Sequence, residues 1–198
     1  MNKEEKNKLA QFVGASILKY HKKIKISFFP SETMKQGKIE STGWANESEL
    51  RIATGGDIDT WLGVLVHETC HVDQSAEHNE WFVDCEKRLS ILEDWLGGKK
   101  CSNKTITDAI QKLVELEWDC ERRSVAKIRK NKLPINIEEY SQMANSYIFG
   151  YHWVLKNRKW CKQSYRNPKI WKAMPTRLVP LCLALTPPKC IVEIFDEN

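Results

Sequence analysis

The chain has 198 residues, 41% of them hydrophobic and 29% charged, with a formal net charge of +5. This is ordinary globular composition at a length suited to one domain, which excludes a disordered chain or a fibrous repeat. The longest strongly apolar runs, WLGVLV and LVPLCLAL, fall far short of the ~20 residues of a spanning helix, so no membrane segment is expected.

The opening stretch MNKEEKNKLAQF has neither an uninterrupted apolar core nor a small-residue cleavage site, and it does not read as an export signal. Seven cysteines without a C-x-x-C pair read as reduced thiols, and together these features suggest the cytoplasm. Leu9, Phe12, Val13, Ile17 and Leu18 recur at helical spacing, which predicts an amphipathic helix over residues 3–20. KISFFP, ended by Pro30, has strand composition, and a second strand is expected at Leu50, Arg51, Ile52 and Ala53. Gly55 and Gly56 then break the chain and Asp57 is placed to cap a helix running through DTWLGVLVHETCHVDQ.

A further helix is expected over residues 79–95, with Trp81, Phe82, Cys85, Leu89, Leu92 and Trp95 on one face and Gly97 and Gly98 as its stop. Helical patterns follow over 105–130 and from 137 to about 160, separated at Leu133 and Pro134. The remainder from Ser164 holds five of the seven prolines and reads as short elements. The expected fold is α+β, mostly helical, with a small N-terminal mixed sheet. It forms a single domain over 1–198, its core at about 20–160 and its C-terminal tail packed on it.

Within the helix after the second strand, HETCH at residues 67–71 matches H-E-x-x-H. Residues four apart on a helix lie one above the other, so His67 and His71 can both aim an imidazole nitrogen at one zinc ion. Glu68 is offset by one residue from the first histidine. Its carboxylate can therefore act as general base toward an activated water instead of ligating. Five residues match such a pattern by chance often enough that context must decide. The six residues leading into the motif, WLGVLV, are apolar on every face, which marks a buried helix, and burying two imidazoles and a carboxylate there is costly unless a metal offsets it.

Zinc of this kind needs a third protein ligand. The metzincin spacing fails, because Gln74 and Glu77 occupy its Gly and His positions, and His78 would point away from the other histidines. AIQKLVELEWDCERRSV, read as a helix, places Ile110, Leu113, Val114, Glu117, Cys120, Glu121, Ser124, Val125 and Ile128 on one stripe. Two carboxylates interrupt that otherwise apolar or small stripe, so Glu117 is the preferred ligand and Glu121 a second ligand or an acceptor that orients a ligating histidine. Glu115 and Asp119 share a solvated face with Asp108, Gln111, Lys112 and Arg122. They form the alternative pair.

HETCH, followed tens of residues later by a glutamate on a second helix with an acidic residue four positions on, resembles the gluzincin group of zinc metallopeptidases. ELEWDCERRS is similar to the E-x-D-C-E-x-R segment of zinc-peptidase-like proteins of bacteriophages and their hosts. The resemblance spans about residues 45–130. It implies a zincin-like fold with a sheet beside the H-E-x-x-H helix whose edge strand, here SELRIA, would bind extended peptide. It further implies one Zn2+ held by His67, His71 and Glu117, Glu68 as base, Glu121 beside a ligand, and the host cytoplasm as location for a phage-encoded chain. Glu121 departs from the Asp common in gluzincins, which the shifted pair of Glu115 and Asp119 would restore.

Tyr147, Tyr151 and His152 are candidates for stabilising an oxyanion, Tyr151 and His152 foremost, against the simpler account of core aromatics. Cys70 and Cys120 read as small buried hydrophobes. The expected activity is zinc-dependent hydrolysis of a peptide or protein substrate. Two alternatives stand: a catalytically silent, zinc-bearing binding or regulatory module, and a protease associated with nucleic acid. The second rests on the clusters HKKIK, KIRKNK and KNRKWCK, a weak signal beside interleaved acidic residues.

Overall fold

The computed structural model describes residues 11–12, 15, 24–36, 39–46, 48–55, 58–160 and 164–196. Of the helix expected at 3–20, residues 11, 12 and 15 are described and helical. The rest of it, and the cap expected at Asp57, lie outside the described residues. The architecture is α+β and mostly helical, with a small mixed sheet. Two compact units are distinguished: Met1–Asn79 with Arg123–Ile135, and Glu80–Arg122 with Asn136–Asn198. The division falls inside a helix, so no shift of composition marks it in the sequence.

The first unit contains strands β1 (Lys25–Phe29), β2 (Met34–Gln36), β3 (Ile39–Ser41), β4 (Gly43–Ala45) and β5 (Glu49–Ala53). β2 and β3 pair as an antiparallel hairpin, whereas β1, β5 and β4 form a sheet in that order. β1 runs parallel to β5 with Ile26 opposite Leu50, and β4 runs antiparallel to β5 with Trp44 opposite Arg51. The turn from β4 into β5 is held by the Asn46 side chain, whose Oδ1 accepts from the backbone of Ser48 at 2.8 Å and of Glu49 at 2.7 Å. This is the local side-chain bonding that makes Asn a turn residue. Along β5 the side chains alternate as a half-buried strand requires. Leu50 and Ile52 are buried, while Arg51 pairs with Glu49 at 2.7 Å and lies 5.3 Å over the Trp44 ring.

One expectation changes here. SELRIA contains β5, the central strand with a neighbour on each side, so among the described residues the strand beside the motif helix that ends the sheet is β4. β4 went unread because it is three residues long and begins with glycine, a residue that weakens any strand signal.

Helix α1 (Ile58–Glu77) packs on β4 and β5. Leu62, Leu65, Val66, Cys70 and Val72 are at most 2% exposed, and the polar Glu68, Thr69, His71, Asp73 and Gln74 are buried with them. A helix buried nearly all round needs polar partners for such residues. Part of the answer lies in residues 123–131, the last two turns of a later helix, which belong to the same unit. There Lys127 meets Asp73 at 2.7 Å and Thr69 at 3.0 Å, Arg123 pairs with Glu77 at 2.6 Å, and the Ser124 hydroxyl lies 3.4 Å from Cys70 Sγ.

The strand-to-helix approach is tightest at Gly43. A Cβ built there would stand 2.7 Å from Glu68 Cγ and overlap Glu68 Oε1 and Val64 Cγ1. Gly43→Ala is therefore expected to push α1 and the Glu68 side chain away from β4. The cost is about 1–3 kcal/mol of stability, the usual penalty of overpacking, read as a lower denaturant midpoint. A midpoint unchanged from wild type would show that the strand yields freely.

The second unit is built on α2 (Asn79–Leu96), residues 103–122 of α3 (Asn103–Asn131), and α4 (Ile137–Asn157), followed by a 3-10 turn (Ser164–Arg166) and short helices α5 (Pro168–Trp171), α6 (Leu181–Leu185) and α7 (Lys189–Glu193). Its core gathers Leu92, Ile106, Ile110, Leu113, Val114, Ile148, Phe149, Val154, Ile170, Met174 and Phe195. Gly98, at φ +101, ends α2 in a backbone conformation that side chains rarely adopt. Asn136 caps α4, accepting from Glu138 N at 3.1 Å. Buried Asn145 binds the 175–179 segment to α4. It donates to Pro175 O and Arg177 O at 2.9 Å each and accepts from Val179 N at 3.1 Å.

Candidate metal centre

In the first unit, His67, Glu68 and His71 lie within two turns of α1. The Nε2 atoms of His67 and His71 face one another at 3.0 Å, with the rings edge-on at 86°. Two imidazole nitrogens sharing a tetrahedral zinc at about 2.0–2.1 Å would stand about 3.3 Å apart, so the pair is within a few tenths of an ångström of ligating spacing.

The His71 ring is held from behind. Its Nδ1 lies 2.8 Å from Gln74 Oε1, and Gln74 is fully buried. A carboxamide oxygen can only accept, so Nδ1 carries the proton and the lone pair of a neutral His71 sits on Nε2. This is the arrangement by which metal sites fix the tautomer of a ligating histidine. Gln74 is the residue that the sequence reading passed over, noted only as the failure of another spacing. Its signal was present, because a residue three positions after His71 shares its face of the helix.

Glu68 is 7% exposed and points beneath the β4 backbone at Gly43. Its carboxylate thus lies close against a strand. A general base needs that kind of placement to remain aimed while the substrate changes shape.

In the second unit, Glu117 and Glu121 are 7% and 5% exposed, one turn apart on α3, and Cys120 between them is fully buried. Glu117 Oε1 accepts from Tyr151 at 3.3 Å and from Tyr147 at 3.5 Å, and the two phenol oxygens are 3.3 Å apart. Tyr140 donates to Glu121 Oε2 at 2.6 Å. Burial, and after it the Glu117 charge, raises both Tyr147 and Tyr151 well above the usual phenol range, so they remain neutral donors.

The alternative carboxylates have other partners. Glu115 pairs with Lys112 and Asp119 with Arg122, each at 2.6 Å on the more open face of the same helix. The stripe that periodicity selects is thus the buried one, and the rival pair is used up in neighbouring ion pairs.

His152 is engaged in a different task from oxyanion binding. Its Nε2 lies 2.7 Å from Ala184 O, an acceptor, so the ring donates its proton there. Burial holds its pKa below the usual imidazole value and keeps it neutral. Tyr151 likewise directs its hydroxyl at Glu117. Burial pushes the Cys85 thiol up to about 12, and Cys70 and Cys120 are fully buried, as small apolar side chains are.

No helix of the described residues is long and apolar enough to cross a membrane. In comparisons with known proteins, the chain matches no family model, no curated protein and no solved structure.

Proposed function

We propose that this protein is a zincin-like, zinc-dependent metallopeptidase in which His67 and His71 hold one zinc ion and Glu68 is the general base. The observation that carries the proposal is the convergence of the two Nε2 atoms at 3.0 Å, with the His71 tautomer set by Gln74. At that distance one nitrogen donates to the other, and a zinc ion bound to both would take the place of the shared proton.

Zinc at these ligands would supply Lewis acidity, polarising a substrate carbonyl and making water acidic enough to be deprotonated near neutral pH. The chain's own residues do the rest. Glu68 takes the proton of the attacking water and passes it to the departing amine. β4 ends the sheet beside α1 and pairs with β5 on one side only among the described residues, so its other side can take an extended peptide as an added strand. Gly43 leaves that strand's backbone close to Glu68.

The protein purified from zinc-supplemented medium is expected to carry one equivalent of zinc and to cleave unstructured peptides. Chelation should remove both properties and added zinc should restore them. Metal content far below one equivalent would overturn the proposal.

A further inference from the structure

We propose that residues 140–192 of the second unit form a docking surface for single-stranded nucleic acid. The first ground is charge. From Tyr140 to Val192 the chain carries nine lysines and arginines and no aspartate or glutamate, whereas its 26 acidic residues, spread evenly, would place about seven there. A merely solvated surface intersperses both signs, because like charges repel one another.

Five of these cations stay uncompensated. Lys156 pairs with Asp196 at 2.6 Å and Lys189 with Glu193 at 3.3 Å. Arg158, Lys159, Lys169, Lys172 and Arg177 are exposed, and among the described residues none of the five meets a carboxylate. They are strung along α4. Gln142 donates to Lys172 O at 3.0 Å and Asn145 to Arg177 O at 2.9 Å, while Arg158 follows the last turn of the same helix. From position 142 to position 158 is about 24 Å at ~1.5 Å per residue, the length of about seven stacked nucleotides at ~3.4 Å each.

The second ground is aromatic. Lys159 Nζ lies 5.3 Å from the centre of the Trp153 ring, and Lys172 Nζ 5.4 Å from that of Trp171. Beside Lys159, Trp160 is 43% exposed while its ring packs edge-on against Tyr151, with centroids 5.7 Å apart. A partly open indole steadied by a second ring is a platform on which a base can stack, and the cations beside it can neutralise phosphates. An acidic polypeptide would use the charges but not the indole, and a duplex keeps its bases stacked inside. The single strand is the partner that uses both.

The test is fluorescence anisotropy of the full chain with a labelled oligothymidylate of about 20 nucleotides, a duplex of the same length and polyglutamate. Five cations on phosphates predict a slope of about −3.5 in log K against log salt, so the single strand should bind about 100-fold more weakly at about 200 mM salt than at about 50 mM. Lys159→Gln/Lys169→Gln/Lys172→Gln should weaken it at least about 30-fold at the lower salt and reduce the slope by about 2. Lys87→Gln/Lys100→Gln/Lys104→Gln, which removes the same charge at exposed positions elsewhere in the unit, should cost less than about threefold. Trp160→Ala, with its thermal midpoint recorded alongside, should cost about tenfold on the single strand and less than about twofold on the duplex. Binding here needs no metal, so chelation should leave it unchanged.

A single strand that fails to bind at the lower salt would overturn the proposal. So would equal losses in the two triple variants, which a general charge effect produces, or a Trp160→Ala variant that binds the single strand as wild type does. Duplex or polyglutamate bound as tightly as the single strand would overturn it in favour of another partner.

Discussion

Glu68→Gln is expected to keep one equivalent of zinc and to lose about 10³-fold in kcat/KM on a peptide substrate, within the range of about 10²–10⁴ that general-base catalysis contributes. The substitution is nearly isosteric. It leaves the packing beneath Gly43 in place, where Glu68 Cγ and Oε1 crowd the strand backbone. It removes only the ability to accept a proton. The His67 and His71 rings, whose Nε2 atoms are oriented by helix register and by Gln74, are untouched. Metal analysis and cleavage kinetics on one preparation separate the outcomes. Retained zinc with activity within tenfold of wild type would show that Glu68 is not the base. A wild type that holds zinc yet cleaves nothing in a broad peptide screen would instead favour a zinc-bearing binding module.

His71→Ala is expected to abolish zinc binding at micromolar metal and, with it, the zinc-dependent part of thermal stability. A ligand present at 1,000 times its dissociation constant stabilises the native state by about 4 kcal/mol. For a chain of about 200 residues that is a shift in Tm of about 8–16 °C. Wild type should show this rise on adding zinc and His71→Ala should not. Gln74→Leu should fall between them, with zinc affinity lowered about 10–100-fold, because the ligand remains while its orienting acceptor is lost. A zinc-induced shift in His71→Ala equal to that of wild type would remove His71 from the metal centre.

The helices were legible in the sequence because their signals are local. Periodic apolar residues and the terminating Gly98 delimit α2, the break at Leu133 and Pro134 precedes α4, and the continuous apolar run before His67 marks α1 as buried on most sides. The burial of Glu117 and Glu121, against the ion-paired Glu115 and Asp119, was legible for the same reason: a stripe at 3.6-residue spacing records which face points inward. β4 was not legible, since three residues headed by glycine carry almost no strand pattern, and its place at the sheet edge depends on pairing with β5.

The sequence by itself determined the class of fold, the burial of the motif helix and the spacing of His67, Glu68 and His71, all properties of a single element. Only the tertiary structure decided what each side chain turns toward: His71 Nδ1 to Gln74 and its Nε2 to His67, Tyr147 and Tyr151 to Glu117, Tyr140 to Glu121 and His152 to Ala184. Apart from the Gln74 contact, these partners lie on different turns or different elements. Periodicity says which face of a helix is buried, but the hydrogen bond that fixes a tautomer or a carboxylate depends on rotamers and on the distance between packed helices, which no single-element pattern records.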